Sequence, residues 1–146
     1  MRITSTFVKL VALVLVLSLV TPCIVMASTV DGIQPYASNY LTAYNTYICD
    51  VGGGRLQIWY EVVGKGIMDE IGTLSIMLYE VNSDGSLTWV KTFLHEDYES
   101  MLETNDNYIY SYVSYQGSSS KTYKAYVCIW AGKNGNGDTR YMWATE

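Results

Sequence analysis

This chain of 146 residues is short of the groups that most chemistry needs. It has one histidine, three cysteines and two prolines, and only 16% of its residues are charged. A single histidine without a cysteine cluster excludes histidine-rich zinc sites and leaves no ready Cys/His catalytic pair. Basic residues number nine against fourteen acids. No basic patch exists to neutralise phosphates, which argues against nucleic acid and anionic membrane surfaces as partners. No stretch holds a sustained helical period, which argues against bundles and α/β folds. Gly-rich segments such as "DVGGGR" and "GKNGNGD" lead into no helix, so they are poor phosphate cradles.

What is present begins with a single long apolar run. Arg2 and Lys9 precede "LVALVLVLSLV", and "VMA" at 25–27 supplies small residues at a cleavage site. Residues 1–27 therefore read as a secretory signal peptide. An uncleaved anchor is the competing reading, since residues 10–27 form an apolar run close to spanning length. Cleavage leaves 119 residues with seven basic and fourteen acidic side chains, a net charge of −7. That length suits one domain with its own core. The expected location is secreted or extracellular, with membrane contact only during export or through a retained signal. Cys49 and Cys128 survive cleavage, and alternation puts Cys128 on an outward face, so no bridge between them is expected.

Residues 28–39 are polar and read as a flexible lead-in to a β domain over 40–146. Fourteen tyrosines and many short alternating runs, separated by Gly, Asn, Asp and Ser clusters, indicate an all-β fold. "RLQIWYEVV" alternates Leu56, Ile58, Tyr60 and Val62 against Gln57, Trp59 and Glu61. "NYIYSYVSY" sets Ile109, Val113 and Tyr115 against Tyr108, Tyr110 and Tyr112. "KTYKAYVCIWA" sets Tyr123, Ala125, Val127, Ile129 and Ala131 against Lys124, Tyr126, Cys128 and Trp130. Asp84-Gly85 closes a hairpin, and residues 95–106 hold one or two helical turns. Seven strands fit an antiparallel sandwich of immunoglobulin or fibronectin-III type, with Tyr123 as a tyrosine corner. A jelly roll or small barrel is the alternative.

Candidate sites are sparse. His95 beside Glu96 and Asp97 reads as a surface residue in a connection. "NGNGD" at 134–138 has the alternate oxygens of a calcium loop but one carboxylate, and reads better as a hairpin turn. "GKGIMDEIG" places Asp69 and Glu70 between Met68 and Ile71, with Gly66 and Gly72 outside them. It reads as a turn in which Met68 and Ile71 plug the core and the acids face water, Asp69 accepting backbone N–H bonds. The carboxylates carry no specific hydrolase signature, and no cofactor or metal is implied. The remaining constellation is aromatic. Trp59, Tyr110 and Tyr112 on one outer face, with Tyr126 and Trp130 on another, suit a glycan or a protein partner.

Gly66, Met68, Asp69, Ile71 and Gly72, then Trp89, then Tyr115, Gly117, Tyr123 and Ala125 form a pattern over about residues 40–140. It resembles a family of small secreted proteins of Firmicutes, chiefly clostridial, classed as a domain of unknown function. The resemblance implies export and a β fold, with no assigned activity. The expected function is a non-catalytic binding or interaction module at the cell envelope or outside the cell. A bacteriocin-like effector, or a small hydrolase using carboxylates near Asp69 and Glu70, is the alternative.

Overall fold

The computed structural model describes residues 38–146; the expected signal peptide and most of the expected lead-in lie outside the described residues. Six strands form one antiparallel sheet: β1 (Leu41–Asp50), β2 (Arg55–Val81), β3 (Leu87–Leu94), β4 (Leu102–Gln116), β5 (Thr122–Lys133) and β6 (Asn136–Thr145). One 3-10 turn, Glu99–Met101, leads into β4 and supplies the helical element expected over 95–106. The all-β class stands, with six strands in a curled sheet rather than seven in two.

The count differs because β2 runs unbroken for 27 residues, well beyond the usual 3–10. The segment 66–72, expected to be a turn, lies inside it. Its first half pairs with β1 on one edge and β4 on the other. Its second half pairs with β3 and β5, and β6 extends the sheet from β5. At Glu70, Ile71 and Gly72 both β4 and β5 flank the strand, so the two halves overlap there. Gly66 (φ 133°) and Gly72 (φ 146°) take backbone conformations closed to other residues, which lets the strand coil without leaving the ladder.

Coiling changes which side of β2 faces the core. Buried positions run Leu56, Ile58, Tyr60, Val62 and Met68, then Ile71 and Thr73, then Ile76 and Leu78. The inward parity switches across Asp69-Glu70, two consecutive exposed residues, and again at a register shift between Thr73 and Ser75. Met68 and Ile71 are buried and the two acids exposed, as expected of the plug. A bent strand delivers that pattern, not a loop.

All six strands contribute to a single core, with Phe93, Ile109, Val113, Ala125, Val127, Ile129 and Ala144 meeting the β2 residues. Burying each such aliphatic side chain contributes about 1.5–3 kcal/mol. Tyr60 crosses the core to donate to the Ser100 carbonyl at 2.8 Å, which satisfies its hydroxyl at the 3-10 turn. Tyr123 accepts from the Ser118 backbone N–H at 3.0 Å, the hydrogen bond expected of a tyrosine corner. Ser38 and Asn39, the end of the lead-in, are tied down: both donate to the Asp138 carboxylate. Cys128 is a free, buried thiol, so it is not bridged to Cys49.

Candidate binding surface

Each half of the sheet carries aromatic side chains on its outer face. In the first half, cross-strand register aligns Tyr47 of β1, Trp59 of β2 and Tyr112 of β4 in one row. Strands lie about 4.8 Å apart, so rings on neighbouring strands stack along the hydrogen-bonding direction. Trp59 is 4.9 Å from Tyr110 and 4.5 Å from Tyr112 between ring centroids, and 6.2 Å from Tyr47. The Tyr47 and Tyr110 hydroxyls meet at 2.7 Å, and Tyr108 donates to Glu61 at 3.3 Å. Burial and the bond to Tyr110 push the Tyr47 phenol well above its ordinary pKa. The Trp59 indole is flanked by neighbouring rings, while Tyr108, Tyr110 and Tyr112 are exposed.

The second half repeats the device with different residues. Asn134 (φ 52°) and Gly135 (φ 75°) form a two-residue turn with both φ positive, which fixes Lys133 opposite Asn136. That register sets Tyr126 opposite Trp143 and Cys128 opposite Tyr141. Tyr126 stacks on Tyr141 at 5.5 Å and 11°, and lies 4.8 Å from Trp143, which also meets Tyr79 at 5.8 Å. Trp143 and Tyr141 stand on an edge strand and are 47% and 59% exposed. Trp89 on β3, opposite Tyr79, is 60% exposed, the highest value among the large hydrophobic residues described. Lys124 is the charged residue in the rows joining Trp89 to Trp143.

Trp130 stands apart from both ladders. Its Nε1 donates to Glu70 on β2 at 3.3 Å, while its six-membered ring passes over Gly132 and Gly137. A Cβ on either glycine would come within 2.6 Å and 2.3 Å of that ring. These glycines are cross-strand partners, and Glu70 pairs with Gly132, so the indole is laid across three strands. Beside it, Asp69 accepts the Asn134 backbone N–H at 2.6 Å. The acid expected to cap its own turn instead caps the β5–β6 hairpin.

Of the five aromatic residues singled out from the sequence, Trp59, Tyr110 and Tyr112 come together. Tyr126 joins Tyr141 and Trp143, and Trp130 lies further along the same outer face. Tyr47, Tyr79, Tyr141 and Trp143 were not anticipated. The Asn-Gly turn held the signal for the last two, since its register alone places them beside Tyr126 and Cys128. His95 lies in the connection after β3, 3.3 Å from Glu96. The "NGNGD" segment is the hairpin turn, and its Asp138 is held by Ser38, Asn39 and Arg140. Those bonds, that of Ser38 first, hold its carboxyl below the usual range.

No family model and no curated protein matches the chain. Among solved structures, the solution structure of R. palustris CsgH is similar at 12% identity and a TM-score of 0.34, covering 70% of this chain and 89% of that one.

Proposed function

We propose that this protein is exported through residues 1–27 and acts outside the cell as a non-catalytic binding module. Recognition runs through the outer face of the second half-sheet, where Trp89, Tyr126, Trp130, Tyr141 and Trp143 lie. The observation that carries the reading is the exposure of Trp89, Tyr141 and Trp143 on one face, where Lys124 is the charged residue in the rows between them. Exposed aromatic clusters of this kind mark binding surfaces, because amphipathic rings combine apolar contact with hydrogen-bonding tips. The resemblance to small secreted Firmicutes proteins supports export. Asp69 accepts the Asn134 N–H and Glu70 the Trp130 indole N–H, contacts that support a structural role for Asp69 and a place for Glu70 beside the aromatic face.

The test is co-sedimentation of the purified secreted form with isolated cell envelopes of the producing organism. Saturable binding should fall at least tenfold in a Tyr141→Ser, Trp143→Ser double variant. The double variant Tyr110→Ser, Tyr112→Ser on the other half should bind as the parent does. No saturable binding, or equal binding by all three proteins, would sink the proposal.

A further inference from the structure

The groove around Trp130 differs from the ladders in the way it offers its ring. Ladder rings stand against one another and spend their faces. The Trp130 indole reaches from Glu70 on β2, over Gly132 on β5, to Gly137 on β6. Because it arrives from the neighbouring row of β5, two residues away, the ring lies along the sheet rather than upright on it. The ring covers the glycine pair, with Gly132 buried beneath it, while Trp130 itself stays part-exposed and lines the adjoining groove. Two glycines at facing positions are what make room for it.

Around the ring the groove is polar. It measures ≈ 570 Å³, within the range of small-molecule sites, and is lined by Glu70, Thr104, Asn105, Trp130, Lys133 and Asn136 among others. Several of these groups are held in place. Glu70 is oriented by the indole N–H, Lys133 donates to the Ile67 carbonyl at 2.8 Å, and Asn136 donates to the Asn134 carbonyl at 3.3 Å. Asn105 sits at a positive φ of 55° on β4, where its side chain leaves the regular alternation. An apolar flat surface ringed by carboxylate, amide and hydroxyl groups matches a pyranose ring. The sugar's C–H face lies on the indole, and its equatorial hydroxyls reach acceptors and donors at the rim.

We infer that Trp130 is the floor of a saccharide subsite, with Glu70 and Asn105 as its principal hydroxyl-binding groups. This rests on the reading of the second half-sheet as the binding face, and it names the ligand class. It also gives Glu70 a role in recognition that the bend at 68–72 alone would not require.

The experiment is titration of the 15N-labelled protein with chitotriose, cellotetraose, maltotetraose and mannotriose, following the four indole N–H resonances assigned by single Trp→Phe variants. At least one sugar should shift the Trp130 resonance saturably and leave that of Trp59 in place. Glu70→Gln should weaken the response about tenfold, and Trp130→Ala should abolish it while the remaining spectrum stays dispersed. If no sugar shifts the Trp130 resonance, or if the shifts fall on Trp89 or Trp143 instead, the subsite assignment is overturned. That failure leaves envelope binding through Tyr141 and Trp143 intact, whereas loss of envelope binding with a preserved sugar response would overturn only the broader reading.

Discussion

Replacing Gly72 with alanine should be among the most damaging single-atom additions this fold can suffer. Gly72 has φ 146°, and a Cβ there would lie 2.2 Å from the Met101 carbonyl oxygen and 3.1 Å from the Leu102 Cα. Those are backbone atoms at the start of β4, so no side chain can swing aside. The cost has two parts. The backbone conformation costs about 1–3 kcal/mol for any residue with a Cβ. Displacing the 3-10 turn and the first residues of β4 adds about 1–3 kcal/mol, as overpacking does elsewhere. Gly66→Ala separates the two, because Gly66 shares the positive φ (133°) but has nothing within 4 Å of its Cβ position. Urea unfolding followed by tryptophan fluorescence should place Gly72→Ala below Gly66→Ala by about 1–3 kcal/mol, with unchanged m-values. Equal losses would show that Met101 does not hold the β4 entry against the bend in β2.

Met68→Ala and Ile71→Ala should each lower stability by about 2–4 kcal/mol in the same assay, since both side chains are fully or nearly fully buried. Thr73 is fully buried, and its hydroxyl has no hydrogen-bond partner among the described residues. Thr73→Val should therefore raise the unfolding free energy by about 1 kcal/mol, and a loss would mean that the hydroxyl is satisfied. Tyr123→Phe removes the acceptor of the Ser118 N–H and should cost about 1–2 kcal/mol, read from thermal unfolding. Asp138 has its pKa lowered in the fold, chiefly by the Ser38 hydroxyl. Its stabilisation is present above the unfolded carboxylate pKa and is lost as pH falls through the lower folded value. An Asp138→Asn variant should show a shallower decline in stability below about pH 4 than the parent.

Alternation made much of this molecule legible from sequence. The inward and outward faces alternate from Tyr108 to Gln116 in β4 and from Tyr123 to Val127 in β5. Ile109, Val113, Tyr123 and Val127 are therefore readable as core, and Tyr110 and Tyr126 as surface; Cys128, outward by the same alternation, is buried. β2 resisted the same reading because its inward parity changes at 69–70 and again near 74. Two changes of phase in one strand look like two strands joined by a turn, so by pattern alone Asp69 and Glu70 read as a loop tip. The place of Trp130 was hidden for another reason. Its partners, Glu70, Gly132 and Gly137, lie on three strands, and two of them contribute an absence of side chain rather than a contact.

The continuity of β2 also decides how the molecule comes apart. β1, β3, β4 and β5 each find their hydrogen-bonding partners on this one strand, and β6 reaches it through β5. No cut through the sheet yields two pieces that each keep a complete set of partners. A proteolytic nick within 55–81 would orphan strands at both ends of the molecule, while one in the 117–121 connection would release a β5–β6 hairpin still paired within itself. Fragment reassembly should accordingly succeed with a break at 117–121 and fail with any break inside β2.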